Sequence, residues 1–411
     1  MDALITNDAT VLGLLFLVLG TVFYTETLDR FAKFYAVVPA LLLCYFIPGI
    51  MNSIGLIDGE SSKLYYVASR YLLPATLVLL TLGADLPGVF KLGPKALIMF
   101  LTGTLGIILG GPVAILFTKT LFPEMFAEMG AEQMWRGMTT VAGSWIGGGA
   151  NQASMKEIFE VSDQAFSIFV VVDIMVANVW MAVLLILAGR SAKVDKAFKA
   201  DTAAIFDLKD RLEKIQKENQ KTPSTQNLMI IAAVGFVLTG LAHLIADNVA
   251  PFIKTNYPEL SRFSLTSSFF WLIVSATTFG VALSFTKARK LEYYGASRVG
   301  SVMLYVLIAT IGMHMNVTEI FSHPGLFIIG FVWMLFHAVL MLGVGRLIKA
   351  PLFFIAVGSQ ANVGGAASAP VVASVFHQSL ASVGVLLAVL GYVLGTYGAW
   401  LCAQLMRWAA V

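Results

Sequence analysis

The residues of this chain best suited to chemistry are small and neutral polar side chains, gathered in two segments that apolar sequence surrounds. The first segment reads GSWIGGGANQAS over 143–154, and the second reads GSQANVGGAASA over 358–369. Glycine weakens helices, and free peptide groups are costly in hydrocarbon. Both segments therefore predict irregular backbone that is buried in protein or lines a wet cavity. A matched pair of such interruptions indicates the substrate site of a secondary transporter.

The hydroxyl and amide groups of these segments could bind a small polar solute or Na⁺. Neutral oxygens suit such a cation better than they suit a transition metal. Close helix packing through small residues would explain the glycines, but it would not explain the amides. The predicted solute site consists of Ser144, Gly147, Gly148, Gly149, Asn151, Gln152, Ser359, Gln360, Asn362, Gly364, Gly365 and Ser368.

Asp173 is an acidic residue deep inside an apolar segment. With a helix that starts near Asp163, it lies about 15 Å along the axis, close to the middle of a bilayer. A carboxylate there is expensive and marks an ion or proton path, although a buried neutralising partner is the structural alternative. We predict that Asp173 and Asn178 serve ion coupling, and that a Na⁺ site forms at Asn151, Asp173 and Asn362.

Two arginines occupy matching positions in the two halves of the chain. The string Ala-Ser-Arg ends at Arg70 near the start of the third apolar segment, and again at Arg298 near the start of the ninth. Snorkelling of each side chain to a membrane interface is one interpretation. That is the default, and the alternative is a gate or an anion-attracting role, which the repetition of the string supports.

The composition excludes a soluble protein. Of the 411 residues, 58% are hydrophobic and 12% are charged, whereas soluble domains carry about 25% charged residues. The mean hydropathy is +0.82. These values predict a polytopic membrane protein in contact with the lipid bilayer. The net charge of +3 gives no indication of nucleic-acid binding.

Apolar segments fall into two sets of six around one polar stretch. The segments are 9–25, 34–51, 64–84, 95–118, 135–158 and 162–189, then 227–249, 264–285, 294–313, 324–345, 351–375 and 379–406. Matching strings occur in the same order in both sets, which indicates duplication. The predicted organisation is a first repeat at 1–189, a cytoplasmic linker at 190–226 and a second repeat at 227–411.

The orientation of the repeats depends on whether the fifth segment of each half crosses the membrane or turns back. The linker carries nine basic residues, which place it in the cytoplasm: Arg190, Lys193, Lys196, Lys199, Lys209, Arg211, Lys214, Lys217 and Lys221. A fifth segment that turns back puts four basic residues on that same side, namely Arg30, Lys33, Lys91 and Lys95. We therefore favour an all-α fold of two inverted repeats, each with about five transmembrane helices and one glycine-rich re-entrant or broken helix.

The linker has a helical pattern of its own. Ile205, Leu208, Leu212 and Ile215 follow 3-4-3 spacing, which predicts a short amphipathic cytoplasmic helix.

Three strings of the chain resemble the YjcL-like family, bacterial membrane proteins described as a domain of unknown function. They are ASRYLLPATLVLLTLGADL at 68–86, GSWIGGGANQASMKEIF at 143–159 and GSQANVGGAASAPVVASVF at 358–376. More distantly, the chain is similar to the clan of cation:proton antiporters, glutamate:sodium symporters and citrate carriers. That resemblance implies inverted repeats, discontinuous core elements and a homodimer formed through a scaffold. The clan's acidic pair is absent, because Val172 and Ile174 flank Asp173.

These observations together predict a secondary active transporter in the bacterial inner membrane. The leading hypothesis is a Na⁺-coupled symporter of a small polar or anionic metabolite. The alternative is a cation:proton antiporter that uses Asp173. An intramembrane enzyme would rest on His243 and Asp247 alone, since the chain has no HExxH, P-loop or Cys/His cluster. We therefore expect no enzyme activity, and no cofactor beyond Na⁺ or H⁺ as coupling ion.

Overall fold

A computed structural model of the chain describes residues 3–35, 38–59, 61–84, 86–200, 222–314, 325–377 and 380–411. Within these ranges the secondary structure is helix and turn, apart from an isolated bridge between Ile5 and Ile57. The predicted all-α class is therefore confirmed. The predicted linker helix at Ile205, Leu208, Leu212 and Ile215 lies outside the described residues.

Thirteen helices form the body of the described chain. The first half contains α1 (Asp8–Glu26), α2 (Ala40–Ser53), α3 (Leu64–Leu82), α4 (Pro94–Leu121), α5 (Ala131–Ile158) and α6 (Asp163–Ala188). The second half contains α7 (Thr225–Asn256), α8 (Ser268–Ser284), α9 (Ala296–Gly312), α10 (Leu326–Leu347), α11 (Leu352–Val363), α12 (Gly365–Phe376) and α13 (Ala381–Ala410). Shorter helical pieces connect them at Asp29–Phe31, Ala32–Tyr35, Leu86–Phe90, Pro123–Met129, Ser191–Phe198, Pro258–Phe263 and Lys287–Tyr294.

Polar side chains set where several long helices begin. Asn7, Ser162, Ser224 and Ser267 each accept a hydrogen bond from a backbone N–H in the first turn of α1, α6, α7 and α8 respectively. Such caps satisfy N–H groups that the helix itself leaves unpaired. The residue just before each of these helices therefore helps to determine where the helix begins.

The helices have the length and composition of membrane spans. In the described part of the chain, seven are long and apolar enough to cross a bilayer: α1, α3, α4, α6, α7, α10 and α13. The number rises to nine if α2 and α8 are each counted with the short helix bent away from it. Large apolar side chains also cover outer surfaces, as Phe236 and Val237 do on α7. The protein is therefore a polytopic integral membrane protein.

The helix α5 turns back on itself at Gly148, where φ is 74° and ψ is −175°. Only glycine adopts this conformation readily. A Cβ built on Gly143 would lie 2.7 Å from the carbonyl oxygen of Asn151, although eight residues of straight helix span about 12 Å. The two ends also meet, because Arg136 Nη1 donates to the carbonyl oxygen of Phe159 at 2.9 Å. We call this element hairpin 1 (131–158).

The helices α11 and α12 form a second hairpin around Gly364 and Gly365, the latter with φ of 59°. Gln360 on one arm donates through Nε2 to Ser368 Oγ on the other at 2.7 Å. At the open end, the rings of Phe353 and Phe376 have centroids 5.3 Å apart. We call this element hairpin 2 (352–376).

The two hairpins open at opposite ends of α6. Ser162, the residue before α6, donates to Gln133 Oε1 of hairpin 1 at 2.9 Å. Beyond the other end of α6, Asp195 Oδ1 accepts from the backbone N–H of Leu352, where hairpin 2 begins, at 2.7 Å. The 26 residues of α6 separate these points, a length of about 39 Å.

The tips of the hairpins meet beside α13. A Cβ on Gly391 of α13 would lie 2.7 Å from the carbonyl oxygen of Ile146 in hairpin 1 and 3.4 Å from that of Ala361 in hairpin 2. Glycine at this position therefore lets both tips approach the same helix.

The helices form two groups. Hairpins 1 and 2 pack with α4, α6, α10 and α13, and we call this group the core. The helix α3 packs against α7, α8 and α9, while α2 packs against α1 and α9, and we call these six helices the scaffold. Of the core elements, hairpin 1 and α13 each contact the scaffold helices α3 and α8.

The fold-back of hairpin 1 predicts a specific sensitivity at Gly143. In Gly143→Ala the new methyl group overlaps backbone of the opposite arm, and overpacking of this kind costs about 1–3 kcal/mol. We expect a lower melting temperature in detergent, measured by size-exclusion chromatography after heating. The control is Gly240→Ala on α7, where a Cβ meets nothing within 4 Å. Equal melting of the two variants would contradict the hairpin.

Candidate functional site

The centre of the core holds a buried carboxylate, Asp173, which is 4% exposed on α6. Its Oδ1 accepts from Trp145 Nε1 at 2.6 Å, and its Oδ2 accepts from Gln152 Nε2 at 2.8 Å. The hydroxyl of Ser144 lies nearby. All three side chains belong to hairpin 1 and are neutral. No lysine, arginine or histidine of the described ranges forms an ion pair with Asp173.

Gln152 also connects Asp173 to the scaffold. Its Oε1 accepts from the hydroxyl of Tyr45 on α2 at 3.4 Å, so the amide bridges a scaffold donor and a core carboxylate. A displacement of the core against the scaffold would break this chain of hydrogen bonds at the Tyr45 step.

Asn151 fastens the tip of hairpin 1 to α13. Its Nδ2 donates to the carbonyl oxygen of Gly147 at 2.8 Å, and its Oδ1 accepts from Thr396 Oγ1 at 2.7 Å. Thr396 in turn lies 3.2 Å from Thr277 of the scaffold helix α8, oxygen to oxygen. Gly149, past the turn, faces Leu304 of α9.

Asn362 fastens hairpin 2 to α4 in a similar way. Its Oδ1 accepts from Thr104 Oγ1 at 2.8 Å, and its Nδ2 lies within hydrogen-bond distance of the carbonyl oxygens of Phe100 (3.0 Å) and Gly358 (2.9 Å). The amide of Asn362 therefore bonds to backbone and side-chain groups on both α4 and hairpin 2.

Ser359 is the centre of a second buried network. Its Oγ accepts from Trp180 Nε1 at 2.8 Å and lies 2.8 Å from His337 Nε2. The other ring nitrogen, Nδ1, lies 3.1 Å from the carbonyl oxygen of Gly103. One consistent assignment has Nδ1–H donate to Gly103 while Nε2 accepts from the serine hydroxyl. The network joins hairpin 2, α4, α6 and α10.

The tip of hairpin 2 contains an unpaired acceptor. Gln360 is 1% exposed, and its Oε1 has no hydrogen-bond partner among the described residues, while its Nε2 donates to Ser368. A Cβ on Gly364 would overlap both Gln360 and Ser368, so only glycine leaves room for this pair. Gly365 then begins α12, whose first-turn N–H groups lie at the tip.

The predicted Na⁺ site at Asn151, Asp173 and Asn362 stays a prediction. Asn151, Asp173 and Asn362 have separate sets of partners on different elements, and protein groups already occupy both amides. Asn178 Nδ2 donates to the carbonyl oxygen of Ile174 in its own helix. The carboxylate of Asp173 has Trp145, Gln152 and Ser144 around it.

The two matched arginines lie in different environments. Arg70 Nη1 lies 2.7 Å from Glu157 Oε2 on hairpin 1, which is an ion pair between scaffold and core. Arg298 is exposed and has Glu292, on the short helix before α9, as a charged neighbour. Repetition in sequence therefore does not give repetition of contacts.

Several residues of the site were not singled out from the sequence. In the sequence, Tyr45, Thr104 and Thr396 look like ordinary helix residues. Their hydroxyls reach the hairpins only because helices distant in sequence pack together. His243 was paired with Asp247 in sequence, but its Nε2 lies 2.9 Å from the backbone carbonyl of Arg70. Trp145 stands out in the sequence, because it is the one aromatic side chain between the glycines of the first segment.

Fold and site define a polytopic integral membrane protein whose polar centre is made by two opposed hairpins. The chain belongs to the family described as protein of unknown function (DUF819), whose model matches residues 13–409. It is 24% identical over 360 residues to the uncharacterized membrane protein YjcL of Bacillus subtilis (strain 168), an overlap that covers 85% of each chain. The resemblance to the YjcL-like family is thus confirmed.

The environment of Asp173 predicts a stabilising role for Gln152. Gln152→Leu removes the donor from Oδ2 of a buried carboxylate, and a lost partner of this kind costs about 1–3 kcal/mol. We expect a lower melting temperature in detergent. The control is Asn178→Ala, which removes an amide that bonds to a carbonyl oxygen of its own helix and should change stability by less than about 0.5 kcal/mol. Equal shifts for both variants would contradict the assignment.

Proposed function

We propose that this protein is a secondary active transporter that carries a small polar or anionic metabolite by alternating access, with Na⁺ as the coupling ion. The observation that carries the proposal is the pair of glycine-hinged hairpins, which open at opposite ends of α6 and meet at their tips beside α13, with Asp173 bonded to hairpin 1. Irregular backbone at this depth is tolerated where it is buried or lines a binding cavity, and paired broken elements mark transporter sites.

The solute would bind where the hairpin tips meet. Hairpin 2 offers two complementary groups there, the first-turn N–H groups of the 12-residue α12 and the unpaired Oε1 of Gln360. Helix N-termini favour acceptors and negative charge. The amide oxygen needs a donor. A small metabolite with both kinds of group fits this pairing.

Asp173 would bind the coupling ion. A carboxylate buried with neutral donors alone is costly, and a cation or a proton bound beside it offsets that cost. Ser144 and Tyr45 supply further neutral oxygens near the carboxylate. Such oxygens are hard ligands of the kind that suit Na⁺.

Two inverted repeats, 1–189 and 227–411, would explain how the site is exposed to each side in turn. The helix α6 begins at the open end of hairpin 1, whereas α13 ends there, since Arg407 lies over the Trp135 ring at 5.8 Å. Equivalent last helices that run in opposite directions support inversion. The core would then move against the scaffold. The basic linker would face the cytoplasm of a bacterium, with the protein in the inner membrane as a homodimer.

The second candidate is a cation:proton antiporter with Asp173 as the titrating group. The absence of an ion-pair partner for Asp173 in the described part of the chain supports the antiporter as much as it supports the symporter. A pH-sensitive dye inside proteoliposomes distinguishes the two, because added Na⁺ or K⁺ changes internal pH without any solute only in the antiporter.

Asp173→Asn tests the coupling role directly. We expect Na⁺ to raise the melting temperature of the unmodified protein, since a ligand that is present at about 100 times its dissociation constant adds about 2.7 kcal/mol. The Asn variant should fold and lose this response, and it should lose solute accumulation driven by a Na⁺ gradient in proteoliposomes. Asn178→Ala should keep both.

The solute assay would use a panel of radiolabelled carboxylates, amino acids and sugars. Full gradient-driven uptake by Asp173→Asn would contradict the role of Asp173. Uptake by the unmodified protein that is indifferent to both Na⁺ and pH gradients would contradict coupled transport.

A further inference from the structure

A charged cluster joins scaffold to core at the open end of hairpin 1. Arg70 of α3 pairs with Glu157 Oε2 of hairpin 1 at 2.7 Å, and the hydroxyl of Tyr65, also on α3, donates to Glu157 Oε1. Both carboxylate oxygens are therefore held by the scaffold. The side chains of Arg70 and Glu157 are 30% and 12% exposed, so water screens this pair only in part.

Further contacts fix the cluster on each side of the interface. On the scaffold side, the guanidinium of Arg70 lies 4.4 Å from the ring centroid of Phe269 on α8. On the core side, Lys156 Nζ lies 2.8 Å from Asp163 Oδ1 and 3.1 Å from the hydroxyl of Tyr65. Arg70, Glu157, Lys156 and Asp163 therefore follow one another with alternating charge, and among them Arg70 is the residue that the scaffold contributes.

The second half of the chain lacks an equivalent acid. If the Gly-Ser pairs at 143 and 358 are aligned, Glu157 corresponds to Val372, an apolar residue of hairpin 2. Arg298, which matches Arg70, accordingly lies exposed. By this alignment, the first half of the chain has the ion pair, and the second half has an apolar residue in place of the acid.

We propose that Arg70, Tyr65 and Glu157 form a latch that keeps the core closed against the scaffold on the face where hairpin 1 opens. This inference rests on the proposed alternating access. Opening of this face must separate the carboxylate of Glu157 from both scaffold donors and hydrate it. The latch thereby favours the state that is closed on this face and open toward the basic linker.

Ala153 provides a reporter position for the latch. Residues four apart share one side of a helix, so Gly149, Ala153 and Glu157 lie on the same side of hairpin 1. Gly149 faces Leu304 and Ile308 of α9, and Glu157 faces α3. Ala153 is 2% exposed beneath the scaffold. A cysteine here should be shielded while the latch is closed. The two native cysteines, Cys44 and Cys402, are free and buried, and would be replaced by alanine.

The experiment measures labelling of Ala153→Cys by a membrane-impermeant maleimide in right-side-out and inverted membrane vesicles. We expect Arg70→Gln to raise the labelling rate from the hairpin 1 face by about tenfold, the change that follows if the latch is worth about 1.4 kcal/mol. Tyr65→Phe should act in the same direction with a smaller effect. The matched control, Arg298→Gln, should leave labelling unchanged.

Charge exchange separates a latch from a general loss of structure. Arg70→Glu combined with Glu157→Arg should restore shielding, whereas each single change should abolish it. A monodisperse elution profile confirms that each variant is folded. Unchanged labelling in both Arg70→Gln and Tyr65→Phe, or equal effects of Arg70→Gln and Arg298→Gln, would overturn the latch. Because no solute is involved, these results are independent of the uptake assays that test transport.

Discussion

The structure depends on how backbone that turns inside a buried helical core finds hydrogen-bond partners. A hairpin tip interrupts the helical ladder, and free peptide groups in an apolar region are costly. Asn151 and Asn362 reduce this cost from within the hairpins, because their amides bond to the carbonyl oxygens of Gly147 and Gly358 respectively. The same amides bind Thr396 on α13 and Thr104 on α4, which ties each tip to a long core helix. The position of the polar centre follows from these attachments.

Two carboxylates, Glu157 and Asp173, illustrate two ways of placing charge in this protein. Glu157 forms an ion pair with the guanidinium of Arg70 at the boundary between core and scaffold. Because separation of these two charges is costly, the pair opposes movement of the core against the scaffold. Asp173 has neutral donors on both oxygens and lies within the core. A group of that kind can move with the core and still accept a cation. The first arrangement suits a contact between bodies, and the second suits a binding site.

Much of the fold could be predicted from the sequence. The dense glycines at 147–149 and 364–365 mark both hinges, because few other residues adopt the backbone found at Gly148 and Gly365. The lengths of the apolar segments gave the helices α1, α3, α4, α6 and α10 closely. The segment expected at 34–51 begins later, as α2 at Ala40, because residues 29–35 form separate short helices bent away from it.

The partners of the site were harder to predict than its position. The depth of Asp173 followed from its distance along one helix, a local property. That Trp145 and Gln152 reach its two oxygens depends on how hairpin 1 packs against α6. The match between Arg70 and Arg298 does not predict their contacts for the same reason, since an ion pair needs an acidic residue within reach as well as the arginine. A comparison of Glu157 with Val372 would have exposed that difference in the sequence itself.

The central claim is that the two hairpins enter from opposite faces of the membrane. Single cysteines at Glu132, beside the open end of hairpin 1, and at Arg346, six residues before hairpin 2, would be labelled with an impermeant maleimide; both positions are exposed. In vesicles of known orientation, we predict that Glu132→Cys is labelled from the outer face and Arg346→Cys from the cytoplasmic face. Labelling of both positions from the same face would contradict the opposed hairpins and the alternating access built on them.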